Sequence, residues 1–427
     1  MKQIQLIQVR PFGRILTGMF IFVLFFTGAG CFPLSAINTG DESPFDLYGY
    51  LINYAGAELK TGNLGYVLYL RLKGDWNPHE NLSFHLETAY TGSLGNQNVW
   101  AIYNDYGLLP FDPADIPTFD YVQSFDVDHA WARWTAGSFD LQFGKIPIAW
   151  GTGYVFNPSS RAHSSAFLDI VREETPGTFA IAPSWAPSWW LSLETYAAFQ
   201  EKTHKSLVKL SDGHVSNLPW GVRLKTLVGP ADLAVGVLRE VADYSGEGES
   251  EDGYYVLFDS IVTFLGMGIY TENAFLLPDA GEKGWTAWEA LEGVLGVEWP
   301  VPGVDVIIRG EYFHQGSGVT DKNAYNIANL FSGRQALLAE DYFFAGVEWG
   351  FLTDGRLDLA SLINLNDGSA AFIPILSWDF LTDFTVQTGV YLFLGEKDTE
   401  YGGETVTAAG SIDMTQPQYF IRMKASF

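Results

Sequence analysis

The sequence predicts an all-β protein, a transmembrane up-and-down antiparallel β-barrel of about 18 strands, with 16 as the alternative. Two observations lead to this prediction. Segments of about ten residues alternate apolar and polar side chains, and the connections between them alternate between short turns and long loops. Composition is compatible with a barrel, because 17% of the 427 residues are charged while 47% are hydrophobic and 15% aromatic. A soluble core could also hold that many rings, so composition alone does not decide.

The first 36 residues are predicted to be a signal peptide, which leaves 37–427 as the barrel. Three basic residues precede an apolar run from Ile15 to Gly30, and small residues follow, which is the layout of a secretory signal. Cleavage is expected after Ala36, and lipidation of Cys31 is the alternative. Without this leader, 21 basic residues stand against 50 acidic ones, so the net charge becomes −29.

The alternation is clearest in two neighbouring segments, Tyr66–Trp76 and Leu82–Tyr90. Leucine and aromatic side chains occupy one phase of each segment, while charged and polar side chains occupy the other. The pattern recurs along the chain up to the last segment, which ends at Phe427. Tight turns are predicted at 77–81, 136–138, 186–188, 229–232, 300–303, 353–355 and 381–383. Long loops are predicted at 92–122, 151–176, 201–217, 242–252, 274–291, 314–340 and 395–416.

A secreted soluble β-sandwich or β-propeller is the main alternative to the membrane barrel. Such folds also alternate apolar and polar residues, but their turns do not usually alternate short and long so regularly. No repeat with a period of 20 to 50 residues supports a propeller. In a barrel with an even strand number, both termini lie on one side, which is expected to be the periplasmic side.

Two segments resemble Gram-negative outer-membrane porins. Tyr419–Phe427 resembles the closing strand of outer-membrane proteins, whose final aromatic residue is read by the barrel-assembly machinery. The resemblance therefore implies that Phe427 is an assembly signal. Gly144–Gly153 resembles a segment of porin-like barrels with the character G-R/K-Q-x-I-x-W-G-x-G, in which a strand ends and a long loop begins. Ile146 stands where glutamine is common, so only the location of the loop is carried over.

Basic residues on the polar phase of the strands are predicted to line a water-filled lumen. Because the last strand must neighbour the first, the two most carboxyl-terminal of them should lie near the two most amino-terminal and form a basic wall. The alternative is that they pair with lumen carboxylates such as Asp75, Glu87, Asp305 and Glu311. The predicted lumen cations are Arg71, Lys73, Lys145, Arg223, Lys225, Arg309, Arg422 and Lys424.

The loop after Trp150 is predicted to fold into the lumen and constrict it. Its glycine-rich beginning, Gly151–Gly153, permits a sharp departure from the wall. A charged loop facing a basic wall would create a transverse field that orders polar solutes. The charged residues of this predicted constriction loop are Arg161, Asp169, Arg172, Glu173 and Glu174.

Motifs of enzymes are missing from the sequence. It contains no Gly-x-Ser-x-Gly elbow, no His-Glu-x-x-His, no cysteine pair and no phosphate loop, so no enzyme activity, cofactor or metal is predicted. A chain this acidic would be repelled by nucleic acid.

The predicted function is therefore an outer-membrane porin for passive diffusion of small hydrophilic solutes. A barrel that only displays surface loops for adhesion, and a barrel enzyme, are the alternatives. Expected partners are outer-membrane lipid and lipopolysaccharide, the barrel-assembly machinery and small hydrophilic solutes, and a homotrimer is compatible with this function. The acidic loops fit a solvated surface, or binding of divalent cations beside lipopolysaccharide.

Overall fold

A computed structural model describes most of the chain from residue 44 onward. The predicted signal peptide and the middle of the predicted loop 92–122 lie outside the described residues. No helix within the described part of the chain is both long enough and apolar enough to cross a bilayer. The described residues are 44–427 except 60–61, 63, 95–120, 163–172, 203–217, 245–249, 278–285, 327–328, 331, 403, 408–409 and 414–416.

Eighteen antiparallel strands form one closed sheet, which confirms the predicted fold class and the count of 18. Consecutive strands pair with each other, and the last strand, β20 (Gln418–Ser426), pairs with both β17 (Phe384–Leu394) and β1 (Phe45–Glu58), so the barrel has no free edge. A short hairpin, β18 (Glu404–Thr407) and β19 (Gly410–Asp413), lies in the connection before β20. The barrel strands are β1 (Phe45–Glu58), β2 (Leu64–His79), β3 (Leu82–Leu94), β4 (Tyr121–Ala136), β5 (Phe139–Pro147), β6 (Gly177–Ser188), β7 (Leu191–Ala198), β8 (Trp220–Val228), β9 (Ala231–Ala242), β10 (Glu251–Phe264), β11 (Met267–Leu277), β12 (Leu291–Pro300), β13 (Val306–Gln315), β14 (Asp341–Leu352), β15 (Gly355–Asn364), β16 (Ala370–Leu381), β17 (Phe384–Leu394) and β20 (Gln418–Ser426).

Short and long connections alternate around the barrel as predicted, with the short turns at one end and the longer loops at the other. The predicted turn at 186–188 is wrong, because β6 continues to Ser188 and the chain turns at 189–190. The structure adds a turn at Leu265 and Gly266, both with positive φ, in a region whose alternation is weak. The barrel begins and ends at the turn end, where the backbone of Phe427 exchanges hydrogen bonds with Gly49.

The two phases of each strand face opposite sides of the wall. Large apolar side chains on the outer phase are exposed, for example Leu86 at 50% and Leu295 at 58%. On the inner phase, Glu272 and Glu311 are fully buried. An exposed apolar band around a charged interior is the surface that a lipid bilayer requires. The outer surface therefore faces lipid.

Aromatic side chains collect at the turn end of the barrel. Several contact one another in pairs, such as Trp76 and Phe84, whose stacked ring centroids are 5.0 Å apart. Aromatic rings suit the membrane–water interface because they combine an apolar body with a polarisable face. Exposed rings of this group include Trp76, Trp134, Trp185, Trp189, Trp299, Trp349 and Phe380.

Candidate functional site

The loop between β5 and β6 lies inside the barrel. Its first aromatic side chain, Trp150, packs edge-on against Tyr196 of β7, with ring centroids 5.1 Å apart. Further along, Phe156 stacks on Phe313 of β13 at 4.3 Å. Tyr196 and Phe313 are both buried. The loop therefore crosses the interior and packs against two separate parts of the wall.

Two glycines allow the loop to leave the wall sharply. Gly151 has a φ of 119°, which disfavours any residue with a side chain. A Cβ atom at Gly151 would collide with the carboxylate of Glu272, and one at Gly153 would collide with the carbonyl of Phe156. The close approach of backbone to carboxylate thus depends on glycine.

The carboxylate of Glu272 on β11 binds backbone amides at the beginning of the loop. Its carboxylate accepts hydrogen bonds from the amides of Thr152 at 2.7 Å, Gly153 at 2.9 Å and Ser159 at 2.7 Å. Backbone amides that converge on an anion form strong, charge-assisted hydrogen bonds. Glu272 therefore anchors the turn of the loop.

Glu311 on β13 holds the next three residues in the same way. It accepts hydrogen bonds from the amides of Tyr154 at 2.7 Å, Val155 at 3.1 Å and Phe156 at 2.8 Å. The hydroxyl of Tyr270 donates to the same carboxylate at 2.7 Å. Sequence reasoning placed Glu311 in the lumen as a partner for basic side chains. Its partners are instead backbone amides more than 150 residues away in the chain.

Arg161 extends these contacts to another part of the wall. Its guanidinium lies 3.2 Å from the carboxylate of Glu240 of β9 and forms an ion pair with Glu292 of β12. Its Cζ atom also lies 3.9 Å from the ring centroid of Tyr255, above the ring. Burial alone would lower the pKa of Arg161, but Glu292 and Glu240 raise it well above its ordinary value. Arg161 is therefore a charged, buried anchor of the loop.

The end of the loop reaches the opposite side of the barrel. Glu173 pairs with Arg422 and Lys424 of β20. Glu174 lies 2.7 Å from Lys73 and 3.6 Å from Arg71 of β2. Sequence reasoning expected these four cations to lie near each other, and two consecutive loop glutamates contact all of them.

Tyr50 of β1 stands between the two basic pairs. Lys424 lies 4.5 Å from its ring centroid and Lys73 lies 5.8 Å from it, while its hydroxyl donates to Glu174. Burial alone would raise the pKa of Glu173, but Lys424 and Arg422 outweigh burial and lower it. The structure differs here from the predicted field across a gap, because wall and loop charges are in direct contact.

The other predicted lumen cations are also close to carboxylates. Arg223 binds Asp259 at 2.5 Å, and Lys225 lies 3.5 Å from Glu194. Arg309 lies 2.7 Å from Glu298 and 3.0 Å from Glu348. Lys145 contacts β4, where it donates to the carbonyl of Val127 at 2.6 Å and lies 3.5 Å from Asp126.

Each of the eight predicted cations therefore has a carboxylate within 4.0 Å, which agrees with the alternative that lumen ion pairs hold the wall together. The predicted loop residues Asp169 and Arg172 lie outside the described residues. A polar cavity of about 420 Å³ lies against Glu173, Arg422 and Lys424 and extends to the turn between β14 and β15. Asp305, which was expected to pair with a cation, lines this cavity.

The matches among known proteins are found by comparison of structures and not of sequences. No protein-family model matches the sequence, and no curated protein matches it. OccAB3 of Acinetobacter baumannii is similar over 90% of this chain and 99% of its own, with a TM-score of 0.50 and 11% identity. A mutant of the Rh. blastica porin is similar over 90% of this chain and 100% of its own, with a TM-score of 0.44 and 9% identity. OprB of Pseudomonas putida is similar over 90% of this chain and 93% of its own, with a TM-score of 0.38 and 11% identity.

At such low identity, the likeness to OccAB3 concerns the fold alone. The chain has the fold of a porin-like outer-membrane β-barrel.

Proposed function

We propose that this protein is an outer-membrane porin through which small hydrophilic solutes diffuse passively. The observation that carries the proposal is a loop held inside a closed 18-stranded barrel by Glu272, Glu311 and the wall cations that contact Glu173 and Glu174. Barrels of 16 to 18 strands are wide enough to enclose an aqueous channel. An inward loop then sets the size of the solutes that pass.

The charges of the interior favour polar solutes. Cations and carboxylates both line the inner face, and many of them are paired. A solute with hydroxyl or charged groups can exchange hydrogen bonds with such a wall, whereas an apolar solute cannot. Which ion sign passes faster depends on the charges that stay unpaired at the narrowest point.

The location of the protein forms part of the proposal. Residues 1–36 would direct export and be removed, and the barrel would insert with both termini in the periplasm. Phe427, at the end of the closing strand, would be read by the barrel-assembly machinery. Lipid and lipopolysaccharide would surround the outer face, and three copies could associate as a homotrimer.

Planar-bilayer recordings test the proposal directly. Refolded protein should insert and conduct ions in discrete steps. Deletion of about ten residues from 158–172 should raise the single-channel conductance, because it removes part of the inward loop. Deletion of 245–249 from the connection between β9 and β10 is the control and should leave conductance nearly unchanged. Unchanged conductance after the first deletion would reject the constriction.

A barrel that only displays loops is the second candidate. Its loops would have to be free, yet the connection between β17 and β20 is tied to the rim through Glu400. The carboxylate of Glu400 accepts hydrogen bonds from Tyr342 at 2.6 Å and from Asn364 at 2.8 Å. The backbone amide of Glu400 donates to the carboxylate of Asp367 at 2.8 Å. Verified insertion without ion current would favour display. Lipase and protease assays on the same preparation test the barrel-enzyme alternative.

A further inference from the structure

Two histidines and a glutamate meet on the inner wall between β3 and β4. The Oε1 atom of Glu87 lies 2.7 Å from Nε2 of His85 and 3.2 Å from Nδ1 of His129. A bulge in β4 leaves Asp128 without a pairing partner and sets His129 directly opposite Glu87. Glu87 and His129 are almost completely buried.

The outer nitrogens of both rings face oxygen atoms that only accept hydrogen bonds. Nδ1 of His85 lies 2.6 Å from the carboxylate of Asp75, and Nε2 of His129 lies 2.9 Å from the carbonyl of Thr175. The outer nitrogens can therefore keep their protons as hydrogen-bond donors. An imidazole needs only one N–H group, so each inner nitrogen can bind a cation and release its proton to solvent.

The third atom of the group is a carboxylate oxygen. Arg71 donates to the Oε2 atom of Glu87 from Nε at 2.6 Å and lies within 2.5 Å of it through Nη2, which favours the ionised carboxylate. Oε1 of Glu87 is thus a carboxylate oxygen that faces both inner nitrogens. A cation that replaces the inner protons would contact all three ligand atoms.

The charges around the group favour a divalent cation. The carboxylates of Asp75, Glu87, Asp128 and Glu174 form a connected network with two cations. These cations are Arg71 and Lys73, so the network carries a net charge of −2 when the histidines are neutral. Beyond Tyr50, Glu173 with its two cationic partners adds one positive charge.

We propose that His85, His129 and Glu87 bind one divalent transition-metal ion, of which Zn²⁺ is the probe of choice. Two imidazoles and a carboxylate are common ligands of such ions. A ligand histidine usually donates its other N–H to a carboxylate or carbonyl, as both rings do here.

The three ligand atoms all lie within 4.8 Å of one another. Bonds of about 2.0–2.1 Å set ligand atoms about 3.3 Å apart. The contact between Glu87 and His129 meets this distance, and the one between Glu87 and His85 must open by roughly half an ångström. Asp75, beside His85, exposes 31% of its side chain, so the edge of the site is open to solvent.

The site also adjoins the inward loop. Thr175, whose carbonyl orients His129, directly follows the two glutamates that contact the basic wall. A bound ion would hold His129 in the orientation in which it contacts Thr175. Metal binding and the position of the loop end are therefore coupled.

A second group of similar composition supplies a control. Nδ1 of His314 lies 3.0 Å from Asp341, and Nε2 lies 3.0 Å from the carbonyl of Trp288. This group contains one imidazole instead of two, and one of its ring nitrogens faces a backbone carbonyl. We expect His314→Gln to leave metal binding unchanged.

Isothermal titration of the untagged, metal-stripped full chain with Zn²⁺ at pH 7.5 tests the proposal. The expected result is one ion per barrel, with binding at least about 100-fold weaker in the His85→Gln and His129→Gln double variant. Asp75→Asn should weaken binding about 10–100-fold, since it removes an orienting hydrogen bond. Circular dichroism and the electrophoretic shift on heating verify that each variant is folded.

Failure of the wild type to bind Zn²⁺, or equal binding by the double variant, would overturn the proposal. If the double variant does not fold, X-ray absorption at the zinc edge of the wild type decides. Two imidazole ligands support the site, and coordination by oxygen alone refutes it. Imidazole ¹⁵N shifts that show both rings doubly protonated in the presence of Zn²⁺ would also refute it.

Discussion

Replacing Glu311 by glutamine should release the middle of the inward loop. The side chain keeps its shape, but an amide nitrogen cannot accept a hydrogen bond. Oε2 of Glu311 accepts from the amide of Tyr154 and the hydroxyl of Tyr270, and Oε1 accepts from Val155 and Phe156. If the nitrogen replaces Oε2, Tyr154 and Tyr270 lose their acceptor. If it replaces Oε1, Phe156 loses its acceptor and Val155 keeps only a longer hydrogen bond of 3.3 Å to Oε2.

The magnitude follows from the cost of a buried donor without an acceptor, about 1–3 kcal/mol. Two such donors cost about 2–6 kcal/mol. The lower end corresponds to a roughly 30-fold shift of the loop from its docked toward its undocked arrangement, since each 1.4 kcal/mol is a factor of about ten. The loop should loosen while the barrel stays intact.

Hydrogen–deuterium exchange measures this shift at the amides of residues 154–156. In Glu311→Gln they should exchange at least about 30-fold faster, and single-channel current noise should increase. Glu194→Gln is the control, because Glu194 is partly exposed and lies 3.5 Å from Lys225 of the wall. Protection within twofold of the wild type at 154–156 would show that the carboxylate does not hold the loop.

Three further predictions concern charge. The pKa of Glu173 is lowered by Lys424 and Arg422 against the effect of burial, so its contact with the wall should persist at neutral pH. The contact is lost only as pH falls through this lowered value, and the conductance should change over the same pH range. If the Glu173→Gln variant shows the same conductance change in acid, the change does not come from Glu173 and the prediction is wrong. Burial raises the pKa of Glu400 to about 7, above about 4.3 for an unfolded glutamate. The folded protein therefore keeps a proton that the unfolded chain releases, and stability contributed by the neutral form falls as pH rises from about 4 to 7. Thermal unfolding of Glu400→Gln should depend less on pH between 5 and 8, and an unchanged dependence would refute the assignment. Replacing the four basic side chains that contact Glu173 and Glu174 by neutral ones should shift ion selectivity toward cations, because the two carboxylates lose their partners. Reversal potentials identical to those of the wild type would reject the role of these side chains in selectivity. These cations are Arg71, Lys73, Arg422 and Lys424.

The sequence by itself determined the architecture of the wall. Alternation with a period of two is a local property, so it assigns residues such as Leu86 and Glu87 to opposite faces without knowledge of their neighbours. Turn residues and loop lengths likewise define successive strands and limit their number to 16 or 18. Weak alternation at about 45–64 and at 253–273 left the count open between the two, and in the second region the turn at Leu265 and Gly266 carries no strong local signal.

Contacts inside the barrel were decided only by the tertiary structure. Glu272 and Glu311 meet the loop after Trp150 because barrel closure brings distant strands around one lumen, and no local pattern encodes which carboxylate faces which amide. The bulge at Asp128 similarly sets the register that joins His129 to Glu87. The sequence could name polar residues for the interior, but their partners depend on register and on closure of the sheet.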